Sequence, residues 1–180
     1  MSDILILGIS CLLTVISING KNPFTLTSGA FSDGKPSPVK YANLVVIGGK
    51  NISPPLQWSD APPGTRSFAL SVIDVHPVAS NWVHWLVINI PKSAKVLPEG
   101  ASGKHLPKGA VELNNSFDKP GYGGPQPPPG TGSHPYNITL YALSVDKLVL
   151  KPQTTLDEFM KAIKGMMLGE AQLTGTYERK

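Results

Sequence analysis

Three stretches of the chain carry the apolar pattern of sheet strands. Residues 67–74 (SFALSVID) and 83–90 (VHWLVINI) are β-branched, nearly continuous apolar runs, as central strands covered on both faces require. Residues 134–143 (HPYNITLYAL) alternate instead, with Tyr136, Ile138, Leu140 and Ala142 on one face. Helical spacing is confined to the C-terminal part. Thr155 and Glu158 form a capping box, Leu156, Phe159, Met160, Ile163, Met166 and Met167 follow on one face, and Gly169 is the expected stop. The alternating stretch 171–178 (AQLTGTYE) closes the chain as a strand. The segments before residue 67 are short and broken by turns. FTLTSGAF alternates loosely, DGKPSP is turn chemistry, NLVVIGG is apolar and ends in paired glycine, and NISPPLQWSDAPPGT is a turn-rich connector with Trp58 as its large buried candidate. The pattern predicts one mostly β domain over 23–180, of sandwich or barrel type, with one or two helices.

Residues 1–22 stand apart. Ile4–Ile18 is fifteen apolar or small residues, short of the ~20 that span a bilayer but fitting for the core of a secretory signal. Asp3 stands where a signal carries a basic residue, SING is a poor cleavage site, and the residues before Cys11 fit a lipoprotein signal badly. Two readings stay open for this leader: an export signal or membrane anchor, or a retained N-terminal element packed on the domain or a partner. Export to the periplasm or outside the cell is favoured over a cytoplasmic location, and membrane contact follows only if the leader is retained.

Composition narrows the classes. Apolar residues at 41% against 16% charged describe a globular chain, and 36 Gly and Pro among 180 residues point to many tight turns. The net charge of +4 is scattered, with no Lys/Arg run beyond two, so there is no nucleic-acid footprint. Cys11 is the single cysteine, which excludes an internal disulfide.

The titratable residues gather at strand ends. Asp74 ends the first strong strand, His84 lies at the start of the second, and His134 and Tyr136 open the third, after the Gly- and Pro-rich stretch GYGGPQPPPGTGSHPY. If the three strands are neighbours, the four side chains converge at one end of the sheet. Imidazole and phenol then supply donors to an anion's oxygens, while the carboxylate fixes a histidine tautomer. A His-Asp metal site from Asp74, His84 and His134 is geometrically possible, but His76, His84, His105 and His134 are irregularly spaced, and His105 reads as a solvated loop residue. No Gly-x-Ser-x-Gly, P-loop, dinucleotide fingerprint or His-Glu-x-x-His occurs, so no motif calls for an enzyme or a cofactor.

The same residues carry a resemblance. SPPLQWSDAPPGTRSFAL, WVHWLVINIP, FDKPGYGGPQPPPGTGSHPY and LTGTYER, in that order over about 160 residues, resemble the phosphatidylethanolamine-binding protein family, the Raf kinase inhibitor-like group in its bacterial and archaeal form. The resemblance implies a large central β-sheet, a smaller flanking sheet and a C-terminal helix. It implies a small pocket for phosphate-bearing head groups or similar anions, with no catalysis. By position it places Asp74, Trp82, His84, the rim prolines Pro127 and Pro128, His134 and Tyr136 at that pocket. Inhibition of a serine protease or kinase through an exposed loop is the alternative it implies, and a homodimer is compatible with it.

Two departures stand out. DVHP is one residue short of the family's Asp-Pro-Asp-x-Pro and has His76 near the second acid, and GSHPY has Pro135 where the family has Arg. A charge of each sign is missing. This is expected if the two positions face each other as an ion pair in other members, since a lone buried charge costs ~3–5 kcal/mol. His76 is then either an added pocket donor or a residue turned to solvent.

Overall fold

The computed structural model describes residues 23–180, so the leader lies outside the described residues. In chain order the elements are β1 (Thr25–Thr27), β2 (Lys35–Pro36), β3 (Leu56–Ser59), β4 (Ser67–Asp74), β5 (Trp82–Pro91), β6 (Val96–Leu97), β7 (Val111–Leu113), β8 (Ser133–Leu143), α1 (Leu156–Lys164) and β9 (Met167–Glu178). The long strands build a six-stranded sheet in the order β2-β9-β8-β4-β5-β7, antiparallel except for β2 beside β9. A three-stranded antiparallel sheet, β1-β3-β6, lies over one face.

Why β4 and β5 read as unbroken apolar runs is now plain: both faces of the large sheet are covered. On one face Leu70, Val72, Trp85, Val87, Ile138 and Leu140 pack against Leu26, Leu56, Trp58 and Leu97 of the smaller sheet. On the other, Ala69, Ile73, Leu86, Ile88, Tyr141 and Leu143 meet Phe159 and Ile163 of α1. The fold is mostly β, with six-stranded and three-stranded sheets and one C-terminal helix.

Two sequence expectations change. The helix starts as predicted: Thr155 Oγ1 accepts from Glu158 N at 3.3 Å, and Glu158 Oε2 accepts from Thr155 N at 2.8 Å. It stops at Lys164 with Gly165 as cap, not at Gly169, and Met166 and Met167 are partly exposed. Helical spacing continues through the methionines, but Met167 is opposite Leu143 in the sheet, so long-range pairing wins over local period. The connector around Trp58 contains a strand, β3, and Trp58 is buried as expected.

Candidate functional site

β4 lies between β5 and β8, which sets the three strong strands side by side. Asp74 is opposite Trp82 on one neighbour and Tyr136 on the other. Alternation along β8 puts His134 and Tyr136 on the face that carries Ile138 and Leu140, the face toward the smaller sheet.

His84 reaches this face by a different device. Val72 is opposite Trp85 and Ile73 is opposite Val83, so one step of β4 spans two of β5 and His84 is the extra residue of a β-bulge. Strict alternation from Trp85 and Val87 would turn His84 toward α1. The bulge resets the phase, so Trp82 and His84 both line the cavity that Asp74 lines.

The cavity has a volume of about 260 Å³. All seven residues expected at a pocket line it: Asp74, Trp82, His84, Pro127, Pro128, His134 and Tyr136. Val78, Ala79, Phe117 and Gln126 complete the wall. Sequence reading missed these four, because they come from turns whose local pattern says nothing about where they fold. Phe117 alone had a signal, as an apolar residue in the polar turn NNSFDKP.

The proline-rich stretch is pinned and not a linker. Gly123 N donates to the His84 carbonyl at 2.8 Å, and His84 Nδ1 bonds the Gly123 carbonyl at 2.5 Å. Gly124 N donates to Asn51 Oδ1 at 2.6 Å, and Asn43 N donates to the Pro125 carbonyl at 2.9 Å. Gly124 sits so close to the 41–43 backbone that a Cβ there would lie 2.2 Å from the Tyr41 carbonyl oxygen. Only glycine fits, and the rim is thereby fixed to the body of the domain.

The polar groups divide into satisfied and waiting. Asp74 Oδ2 accepts from His134 Nδ1 at 2.7 Å, and its Oδ1 accepts from His76 N at 2.9 Å. Thr131 Oγ1 lies 2.8 Å from His134 Nε2 and donates to the Pro128 carbonyl at 2.7 Å. His134 is thus held at both ring nitrogens, at Nδ1 by Asp74 and at Nε2 by Thr131. His84 is nearly fully buried, and burial lowers its pKa from 6.5 to about 4, against the opposing pull of the Gly123 carbonyl. Its proton therefore sits on Nδ1, facing Gly123, and Nε2 keeps a lone pair. The ring is held edge-on between Phe117 and Tyr136, at centroid distances of 5.9 and 5.1 Å.

The Tyr136 hydroxyl is buried and makes no well-formed hydrogen bond among the described residues; the Asp74 carboxylate is near enough to act on it but is not placed to accept from it in good geometry. Burial, and after it the nearby Asp74 charge, pushes its pKa far above the ordinary phenol value, so it remains a donor. Trp82 stands at the mouth, 40% exposed and edge-on to Phe117 at 5.3 Å.

Neither expectation for His76 holds. Its ring does not line the cavity and does not stand free in solvent: it stacks on His134 at 3.9 Å with the planes 16° apart. Pro135 lies on the other face of β8, half-buried opposite Thr176, so positions 76 and 135 do not confront each other in this chain. Pro135 has a different role. Val75 N donates to its carbonyl at 3.1 Å, but a proline has no N–H to return, so the β4 ladder ends at Asp74. Released there, the chain turns and carries His76 over His134. No cluster of three or more metal-binding side chains occurs among the described residues.

A model of the phosphatidylethanolamine-binding protein family matches residues 27–178. The solved structure of Escherichia coli YbcL, described as a member of the mammalian family of that name, superposes with a TM-score of 0.82 at 34% identity, covering 87% of this chain and 99% of that one. A UPF0098 protein of Methanothermobacter thermautotrophicus is 37% identical over 155 residues, 86% of this chain and 98% of its own. Mycobacterium tuberculosis LppC, whose name assigns it provisionally to the lipoproteins, is 39% identical over 156 residues, 87% of this chain and 73% of its own.

Proposed function

The chain belongs to the phosphatidylethanolamine-binding protein family, and from that premise we propose that it binds small anions and phosphate-bearing head groups without catalysis, in the cavity between Asp74 and Tyr136. The observation that carries the reading is the Tyr136 hydroxyl, a buried donor with no well-formed hydrogen bond, on the wall of a cavity. An unfilled buried donor is destabilising unless something accepts from it, and an anion's oxygen does so. His84 Nε2 beside it accepts from a protonated ligand oxygen, or takes up a proton as the anion enters. An oxygen that reaches His134 Nε2 replaces the Thr131 hydroxyl, which keeps its bond to Pro128. The volume suits a phosphate with a short amine or alcohol, so acyl chains of a whole lipid would lie outside. The lining residues include no Ser, Thr, Cys or Lys, and the one hydroxyl bonded to a pocket imidazole, that of Thr131, lies outside the lining and is tied to the Pro128 carbonyl.

Isothermal titration with inorganic phosphate and with phosphoethanolamine tests this. Weak, saturable binding that His134→Ala removes is expected, and equal binding by the variant contradicts the site. The name of the mycobacterial relative supports export as the fate of residues 1–22.

A further inference from the structure

Single exposed aliphatic side chains are common on proteins, but here four fall within nine positions. Leu44 is 71% exposed, Val45 62% and Ile47 99%, with Val39 partly exposed beside them. The loop that carries them is not loose. Val46 is buried as its anchor, Asn43 N and Asn51 N donate to the Pro125 and Ala42 carbonyls at 2.9 and 2.8 Å, and Gly49 N donates to the Val46 carbonyl at 2.8 Å. Gly49 closes the loop so tightly that a Cβ would lie 2.1 Å from the Asn43 carbonyl oxygen. A rigid backbone thus holds three branched aliphatic side chains in water, on the same backbone that braces the pocket rim at Gly124.

What covers them follows from size, shape and charge. Three such side chains present on the order of 300 Å² of apolar surface, well short of the ~800 Å² per partner of a stable protein interface. A bilayer surface, by contrast, accepts a small apolar tip and favours a basic flank. Lys50 supplies that flank and makes no ion pair among the described residues, whereas Lys40 is engaged with Glu99 at 2.7 Å. The chain as a whole carries +4. We propose that the tip Leu44–Val45–Ile47 inserts into a lipid surface and docks the domain there, independently of what fills the pocket.

The test uses the full chain with Cys11→Ser and Val45→Cys, labelled at position 45 with an environment-sensitive fluorophore. Phosphatidylcholine vesicles with about 30% phosphatidylglycerol are added. A saturable blue shift of the label is expected, with Leu44→Ser/Ile47→Ser weakening it at least about tenfold. The double variant should leave the titration with inorganic phosphate unchanged, which separates this surface from the pocket. Vesicle binding with no shift of the label, as the leader alone would give, overturns the proposal. So does a label already blue-shifted without vesicles, which would mean that a second copy or residues 1–22 cover the tip.

Discussion

Asp74 accepts from His134 Nδ1 at 2.7 Å, with both side chains almost wholly buried. The same carboxylate holds the His76 backbone, so one side chain fixes a pocket histidine and the turn that stacks on it. Asp74→Ala leaves a buried donor unmatched on each partner. The expected loss is about 2–4 kcal/mol in urea unfolding, with a smaller loss for Asp74→Asn, whose amide oxygen still accepts one bond.

His84 makes stability depend on pH. Its pKa is 6.5 in the unfolded chain and about 4 in the fold, so the unfolded state takes up the proton first as pH falls. The stability held by the neutral ring is complete above pH ~6.5 and drains between there and pH ~4, by on the order of 3 kcal/mol. Unfolding free energies across this window should fall more steeply for the wild type than for His84→Gln. Parallel curves would refute the assignment.

Gly124→Ala sets a Cβ 2.2 Å from the Tyr41 carbonyl oxygen, and backbone stands on both sides of the clash. The rim must shift, with a loss of about 1–3 kcal/mol. Anion binding should weaken with it. Gly130→Ala, with open space around it but a φ of +80°, should lose only the smaller strain of that conformation, and should keep the rim in place. Comparing melting temperatures of the two variants checks the distinction.

Pro135→Arg was expected from the sequence to strand a charge. Position 135 is half-buried on the face away from the pocket, where an arginine's long stem reaches water, and the substitution restores an N–H opposite Val75. A change within about 1 kcal/mol is expected in thermal unfolding. The larger effect should be on the turn at 75–81, seen as altered hydrogen exchange at Val75 and His76.

How much of this could be read from the sequence depends on distance along the chain. The three strong strands and the capping box at Thr155 were legible, because apolar runs and cap chemistry are local signals. Asp74, His134 and Tyr136 were legible as neighbours once those strands were set side by side. His84 lines the cavity with them, but by a device that was hidden. No residue in VHWLVINI marks the bulge, which shows only in the register against β4. Phe117, Val78 and Ala79 belong to turns whose course is decided by long-range bonds such as Ser116 N to the Val83 carbonyl. The His76 stack was out of reach for the same reason: it exists because Pro135, far along the chain, ends the ladder beside Asp74.

The central claim is that an anion is held between Tyr136, His84 and His134. Ring-nitrogen NMR of the histidines during a phosphoethanolamine titration tests it most directly. The account predicts saturable shifts at His84 Nε2 and His134 Nε2, with His76 following through its stack, and their loss in Tyr136→Phe. Binding that leaves both rings unmoved, or that persists undiminished in Tyr136→Phe, would contradict it.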